Sequence, residues 1–284
     1  MVFVTGDLHG NFERFKPKYF PEQARMTKQD IMICTGDFGG VWFGDIRDDE
    51  TLDWLERLPF TLAFVCGNHE NYDVLERYPV AEWHGGWVHR VRPHVLHLMR
   101  GQIFELEGCR FFTMGGAKSH DIEDGILEPD APDFERRLTM LQRKPRARYR
   151  VNHISWWAQE LPSDEEYAEA RRSLDAVGWQ VDYIITHCAP PASPSWAAAT
   201  TRRIGSRTFC RRSKKEQNTT AGCSAITTTT EPLTKSTFCC GSRSCGSSEA
   251  GQSREKHGGV TVLFSALSVD QANCARKEKA YEYP

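Results

Sequence analysis

Three short segments decide the fold that this sequence predicts: Gly6-Asp7-Leu8-His9-Gly10, Gly36-Asp37-Phe38-Gly39-Gly40 and Gly67-Asn68-His69-Glu70. Each segment directly follows an apolar run, at positions 2–4, 31–34 and 62–66. A short apolar run bounded by glycine is typical of a buried strand. Because ligands of open α/β sheets bind beyond the carboxyl ends of such strands, we expect these polar side chains to meet at one edge of one sheet.

The side chains that follow the strands indicate a metal site. They comprise two aspartates, an asparagine and two histidines. Oxygen and imidazole ligands together suit Mn, Fe or Zn. A single Gly-Asp after a strand is most often a turn, in which the carboxylate accepts hydrogen bonds from backbone amides. Three such segments in succession, each after a strand, favour the metal site over three unrelated turns.

The same segments resemble the first three motifs of the bacterial type of calcineurin-like metallophosphoesterases: Asp-x-His, Gly-Asp and Gly-Asn-His-Glu. A fourth motif of that family follows at Thr186-His187-Cys188-Ala189-Pro190, after another apolar run at 181–185. The resemblance covers about residues 1–191. It implies an α/β fold, a four-layer α-β-β-α sandwich of two mixed sheets, with the metal site at the carboxyl ends of strands.

The resemblance also implies a set of ligands for two divalent metal ions. Asp7 and His9 would hold the first ion. Asn68 and His187 would hold the second, and Asp37 would bridge the two, because a carboxylate between two dications relieves their repulsion. We expect Mn, with Fe or Zn as alternatives.

The reaction that the resemblance implies is the hydrolysis of a phosphate ester by attack of metal-bound hydroxide. Two cations about 3.5–4 Å apart can clamp the attacking and leaving oxygens of such a displacement. His69 corresponds to a family histidine that does not bind metal but stabilises charge on the phosphate or protonates the leaving alkoxide. The sequence contains no recognisable specificity pocket, so the physiological substrate stays open.

One motif of the family is missing. The family ends its metal site with Gly-His-x-His, and the only histidine of this chain after His187 is His257. One histidine cannot replace two. The alternative to an active enzyme is therefore a protein that keeps the fold but binds metal weakly or is catalytically impaired.

A shifted reading frame is compatible with the missing motif. The stretch Ala221-Gly222-Cys223-Ser224-Ala225-Ile226-Thr227-Thr228 can be written GCN GGN TGY TCN GCN ATH ACN ACN. Reading from the third base of each codon permits Trp, then Leu, Met or Val, then Phe-Gly-His-Tyr-His. We therefore predict that the chain after about Pro194 results from a frameshift, and that the neighbouring frame encodes the motif.

Composition sets the domain organisation and the class of partner. We expect a phosphoesterase domain at residues 1–194 and an irregular tail at 195–284, where apolar periodicity is lost and Ser, Thr, Arg and Gly dominate. The net charge of −2 does not favour nucleic acid as a partner, and no apolar run reaches the roughly 20 residues of a membrane helix. Without a recognisable leader, we expect a cytoplasmic location. The oligomeric state is left open.

Secondary structure was predicted from periodicity. The first three strands alternate with helices at about 48–58 and 71–77, a pattern typical of a largely parallel sheet. From Trp83, short strands at 87–89, 95–98, 103–106 and 110–114 predict a second, more antiparallel sheet. Helices are expected at 133–143 and 153–177, the latter with a capping box formed by Ser163 and Glu166.

Two features leave alternatives open. The glycine-rich aromatic segment 39–45 either lines a substrate pocket or folds on its own aromatic side chains. Histidines 84, 89, 94 and 97 could suggest a second metal site, but their spacing and the flanking arginines favour ordinary surface or half-buried positions.

Overall fold

The protein is described by a computed structural model that covers residues 1–187 and the backbone of three later strands, at 224–227, 254–257 and 260–263. Expectations for the rest of the chain, including most of the tail, lie outside the described residues. The division of the chain at residue 194 therefore stays a prediction.

The larger sheet has eight strands and forms around the apolar runs identified in the sequence. Its strands, in chain order, are β1 (Val2–Thr5), β2 (Ile31–Cys34), β3 (Thr61–Phe64), β4 (Val80–Trp83), β5 (Gly86–Arg92), β6 (Val95–Leu98), β13 (Arg254–His257) and β14 (Val260–Leu263). Their spatial order is β13-β14-β1-β2-β3-β6-β5-β4. The pairs β1–β2, β2–β3 and β3–β6 are parallel, whereas β4–β5 and β5–β6 are antiparallel.

A second sheet contains the described strands β7 (Ile103–Leu106), β8 (Cys109–Thr113), β11 (Tyr183–Thr186) and β12 (Ser224–Thr227). Their spatial order is β12-β11-β8-β7. The pairs β8–β11 and β11–β12 are parallel and β7–β8 is antiparallel, so this sheet is also mixed. A small third sheet joins β9 (Ile126–Leu127) to β10 (Arg150–Val151).

The predicted membership of the second sheet was wrong in part. The strands at 87–89 and 95–98 form, but they extend the first sheet, because β6 pairs with β3 in parallel. Only the strands near 103–106 and 110–114 enter the second sheet. The alternation of apolar residues marks a strand but does not specify its partner, which is chosen by long-range packing.

The α-helices are α1 (Ile46–Glu56), α2 (Tyr72–Leu75), α3 (Phe134–Arg143) and α4 (Asp164–Ala176). The chain also forms 3-10 helices at Glu13–Phe15, Pro21–Arg25 and Ala158–Glu160. The predicted helix at 153–177 was too long at its amino end. Helix α4 begins after Ser163, where the predicted capping box with Glu166 is present and fixes the start of the helix.

Three apolar clusters connect the sheets to one another and to two of the helices. One lies between the larger sheet and α1, and includes Leu52 and Leu55 of that helix. A second contains side chains of both sheets, among them Ile33 and Phe111. The third joins the four-stranded sheet to α4 through Leu174. The chain is thus a mixed α/β protein built on several mixed sheets.

None of the described helices is long and apolar enough to cross a membrane.

Candidate metal centre

Four of the predicted site residues lie just beyond the ends of strands. Asp7 follows β1, Asp37 follows β2, Asn68 follows β3, and His187 follows β11. The first three strands are parallel neighbours in the larger sheet, so their carboxyl ends share one edge. His187 comes from the four-stranded sheet, and its side chain lies beside Asp7 and Asp37.

Asp7, His9 and Asp37 form the centre of the site. Their ligand atoms all lie within 4.8 Å of one another, and among the described residues they are the one group of three or more His, Cys, Asp or Glu arranged in this way. His9 Nε2 lies 3.4 Å from Asp37 Oδ2 and 3.9 Å from Asp7 Oδ2. The Asp37 carbonyl accepts hydrogen bonds from the backbone amides of Leu8 and His9, at 3.0 and 2.7 Å, and so ties the first loop to the second.

His187 completes the cluster from the second sheet. Its Nε2 lies 3.4 Å from Asp37 Oδ1, and its Nδ1 lies 3.7 Å from Asp7 Oδ1. Nδ1 is also 3.0 Å from the carbonyl oxygen of Thr35, and the side chain is fully buried. A carbonyl can only accept, so Nδ1 carries a proton and Nε2 is the nitrogen that faces the Asp37 carboxylate.

Asp37 and His187 perturb one another's protonation. Burial by itself would raise the pKa of Asp37, but its contact with His187 and the charge of that ring outweigh burial and hold the pKa well below its usual range. Burial by itself would lower the pKa of His187, but the contact with Asp37 raises it to about 9. The opposite shifts express one strong attraction between a buried carboxylate and a buried imidazolium.

Two carboxylate oxygens of the cluster are left without hydrogen bonds. Asp7 Oδ1 and Asp37 Oδ2 are buried and accept none from the described residues. Buried polar atoms are rarely left in this state, because removal from water costs free energy that a partner must repay. Unpaired carboxylate oxygens beside two imidazoles are the donor set of a divalent transition-metal ion. The residues therefore fit such an ion.

The third loop places His69 against the cluster, whereas the Asn68 side chain is seen in contact with Ser119. The backbone amide of His69 donates to Asp37 Oδ1 at 3.0 Å, and its ring stands edge-on to the His9 ring with centroids 5.2 Å apart. Burial lowers the pKa of His69. The carboxamide of Asn68 contacts Ser119, whose Oγ is 3.5 Å from Asn68 Nδ2.

Two glycines are required by the close approach of the ligands. A Cβ atom at Gly36, whose φ is +114°, would lie 2.2 Å from His187 Nδ1. A Cβ atom at Gly67 would lie 2.0 Å from Asp37 Oδ1. The glycines noted in the sequence as strand boundaries are therefore also the positions where the backbone makes room for the ligands.

The sequence analysis assigned no role to Glu70 or Arg14, whose side chains form hydrogen bonds with backbone groups of the site loops. Glu70 is 1% exposed, and its Oε1 accepts hydrogen bonds from the amides of Phe38 and Gly67, at 2.9 and 3.3 Å. Burial raises the pKa of Glu70 to about 8. Arg14 donates to the Asp7 carbonyl at 2.9 Å. Glu70 could have been identified from the sequence because it belongs to the third motif, whereas no sequence pattern pointed to Arg14.

An ion pair between Arg150 and Asp121 was also missed. The two side chains form a short ion pair, and the charges of both act on the His69 ring. Asp121 lies in the loop between β8 and β9, to which the sequence analysis assigned no role. Arg150 is the first residue of β10, some thirty positions later, so no local pattern connects the two.

Of the four histidines considered for a second metal site, His84 is exposed and His94 half-buried, as expected, whereas the expectation was wrong for His89 and His97, which are buried. His89 and His97 stack in the core with their Nδ1 atoms 2.9 Å apart, and are 8% and 5% exposed. His94 pairs with Glu56 at 2.6 Å.

The aromatic segment 39–45 is anchored to its own surroundings. The backbone amides of Trp42 and Gly44 donate to the Asp48 carboxylate at 2.8 and 2.7 Å, and the Trp42 ring packs edge-on against buried Trp157. The segment is therefore held in place by Asp48 and Trp157, which lie outside it, and both alternatives for its role stay predictions.

Comparison with known proteins identifies the family. The family model for calcineurin-like phosphoesterases matches residues 1–207, and the chain belongs to that family. The chain is 28% identical to lariat debranching enzyme A of Xenopus laevis over 143 residues, which cover 45% of this chain and 26% of the relative. It is 28% identical to the lariat debranching enzyme of Danio rerio, with 45% and 24% covered, and 24% identical to that of Gallus gallus, with 54% and 29% covered.

The matches cover about a quarter of the length of these curated relatives. No solved structure shows significant similarity to the chain.

Proposed function

We propose that this member of the calcineurin-like phosphoesterases hydrolyses phosphate esters with two divalent metal ions, Mn foremost, held at the carboxyl ends of β1, β2, β3 and β11. The observation that carries the proposal is the cluster of two carboxylates and two imidazoles in which two buried carboxylate oxygens accept no hydrogen bond from the described residues. Such ions supply positive charge to the phosphate and activate water for attack.

Asp37 is the proposed bridging ligand. Its two oxygens face different histidines, with Oδ1 3.4 Å from His187 Nε2 and Oδ2 3.4 Å from His9 Nε2. An ion on each side of the carboxylate would therefore have one imidazole and one oxygen of Asp37 within reach. Asp7 would join the ion on the His9 side.

The second ion would take His187 and Asn68 as its other ligands. The contact of His187 Nδ1 with the Thr35 carbonyl fixes the ring orientation and presents Nε2, as second-shell partners of metal-binding histidines commonly do. Asn68 would contribute its carboxamide oxygen, the only atom of that group able to bind a cation.

His69 is the proposed catalytic residue that does not bind metal. Its backbone is fixed by the hydrogen bond to Asp37, and its ring lies beside the His9 ring without replacing it. From there the imidazole can donate a hydrogen bond to a phosphate oxygen or to the leaving oxygen. General acid–base catalysis of this kind contributes about 10²–10⁴-fold.

The four-layer α-β-β-α sandwich forms part of the proposal. It is supported by the three apolar clusters, which lie between α1 and the larger sheet, between the two sheets, and between the smaller sheet and α4. This arrangement accounts for the approach of His187 to the edge formed by β1 and β2.

The test measures metal and turnover together. The chain is purified, its bound metal is counted by mass spectrometry, and hydrolysis is assayed with Mn on phosphomonoesters and phosphodiesters. One diester is a lariat, because the curated relatives are debranching enzymes. We expect two ions per chain and turnover that Asp37→Asn abolishes.

Two outcomes would contradict the proposal. A chain that binds no Mn at all would support the alternative of an impaired protein that lacks the Gly-His-x-His motif. Turnover that survives Asp37→Asn unchanged would show that the reaction takes place elsewhere.

A further inference from the structure

The carboxamide of Asn68 presents a problem of orientation. The group has an oxygen that can bind a cation and a nitrogen that cannot, and the two differ little in size. A rotation of 180° would replace a ligand by a pair of N–H donors. Something in the protein must therefore distinguish the two ends.

Ser119 makes that distinction. It is 3% exposed, its backbone amide donates to Glu160 Oε1 at 2.9 Å, and its hydroxyl donates to Glu160 Oε2 at 2.6 Å. A hydroxyl has one proton and two lone pairs. Because the proton is directed to Glu160, only lone pairs of Ser119 Oγ are available to Asn68, and they accept from Nδ2 at 3.5 Å.

Glu160 is itself held in place. It is 2% exposed, and Arg100 Nη2 donates to the backbone carbonyls of Gln159 and Glu160, at 2.7 and 3.4 Å. Arg100 Nε donates to the Gly115 carbonyl at 2.9 Å. A single buried guanidinium therefore fixes the segment that carries Glu160 and the loop that leads to Ser119.

The same loop is attached to the end of β3. The amide of Gly116 donates to the carbonyl of Cys66 at 2.7 Å, two residues before Asn68. This hydrogen bond fixes the position of the loop relative to the third motif. It therefore helps to hold Ser119 next to the Asn68 side chain.

We propose that Ser119 and Glu160 are positioning residues for Asn68, whose carboxamide nitrogen they bind so that its oxygen faces the metal. The proposal rests on the proposed function, because it assumes that Asn68 is a ligand. Neither residue touches substrate. Their effect is confined to the ion held by Asn68 and His187, and the ion on the His9 side is not affected.

Two variants test whether Ser119 and Glu160 set the orientation of the Asn68 carboxamide. Ser119→Ala removes the acceptor for Asn68 Nδ2. Glu160→Gln is nearly isosteric, but its amide donates to Ser119 Oγ, so that the hydroxyl proton turns to Asn68 and favours the flipped carboxamide. Ser119→Thr keeps the hydroxyl and serves as the conservative rescue.

The control is Thr61→Val. Thr61 is 4% exposed, and its hydroxyl donates to the Lys28 carbonyl at 2.7 Å, at the start of β3. The variant removes a buried hydroxyl hydrogen bond from the same strand, at the end opposite to Asn68. It reports what the loss of such a bond does without a role at the metal.

The experiment is a calorimetric titration of the metal-free chain with Mn, together with hydrogen exchange of the Asn68 side-chain amide followed by NMR without metal. We expect Ser119→Ala and Glu160→Gln to weaken the second binding step about 10–100-fold, the range found for outer-shell partners. The first step should be unchanged in both variants. The Asn68 amide protons should exchange faster in Ser119→Ala, and Ser119→Thr and Thr61→Val should resemble the unmodified chain.

The outcomes separate this inference from the proposed function. If the unmodified chain binds two Mn ions and the second step is the same in both variants, the positioning role is refuted and the metal site stands. Equal weakening of both steps, or the same weakening in Thr61→Val, would also refute it and show a general structural effect. An unmodified chain that binds no Mn refutes both.

Discussion

Replacing Gly36 by alanine should test the placement of His187 directly. The φ of +114° is unfavourable for any residue with a Cβ atom, and a left-handed backbone costs about 1–2 kcal/mol. The new methyl group would lie 2.2 Å from His187 Nδ1, so the ring must withdraw by about 1.2 Å to reach the ordinary contact distance of 3.4 Å. Withdrawal also breaks the contact of Nδ1 with the Thr35 carbonyl, and a buried group left unpaired costs about 1–3 kcal/mol.

The expected loss for Gly36→Ala is therefore about 2–5 kcal/mol of unfolding free energy, measured by urea denaturation of the metal-free chain. Gly125→Ala is the matched control, because Gly125 has a similar φ of +102° and its nearest neighbour would be the end of Arg137, at 3.6 Å. The control should lose only the backbone part, about 1–2 kcal/mol. In a domain of this size each kcal/mol corresponds to about 2–4 °C in Tm.

The comparison of Gly36→Ala with Gly125→Ala tests whether His187 lies beside Gly36. If the two lose stability equally, within about 0.5 kcal/mol, then no clash with His187 exists and that residue does not lie beside Gly36. The Mn titration gives an independent reading, since a ring moved by more than an ångström can no longer serve the second ion. Full binding of both ions by Gly36→Ala would refute the assignment of His187 as a ligand.

Three other predictions concern the ligands, the core and the tail. Asp37→Asn should reduce bound Mn more than His69→Ala does, although both should lose activity, and equal metal loss would show that His69 is a ligand. Burial holds the pKa of His97 well below 6.5 and also lowers that of His89. The unfolded chain therefore takes up protons below pH 6.5 that the folded chain does not, and stability should fall with acidification by about 1.4 kcal/mol per pH unit for each histidine that stays neutral. The double variant His89→Phe/His97→Phe should show a flatter profile between pH 7 and 5, and an unchanged slope would contradict the explanation. Sequencing the gene should find Gly-His-x-His in the frame that overlaps residues 221–228, and restoring one base should increase metal content; a stop codon earlier in that frame would refute the frameshift.

The sequence by itself determined the local elements and the family. Apolar runs ending at glycine predicted β1, β2 and β3 to within a residue or two, because burial of a strand requires apolar side chains and the turn after it requires a permissive backbone. The capping box at Ser163 could also be predicted from the sequence, because both of its partners lie within one helical turn. The resemblance to the calcineurin-like phosphoesterases, carried by these short segments, is confirmed by the family match.

Only the tertiary structure decided which elements face one another. Strand β6 could have paired with either sheet as far as its own pattern shows, and it joins β3. The contact of His187 with Asp37 spans 150 positions and exists because two sheets pack together. The hydrogen bonds from Asn68 to Ser119 and from Ser119 to Glu160 join two loops and the 3-10 helix at Ala158–Glu160. A local pattern reports which side chains are buried and which backbone bends, whereas the partner of each group depends on the free energy of packing the whole chain.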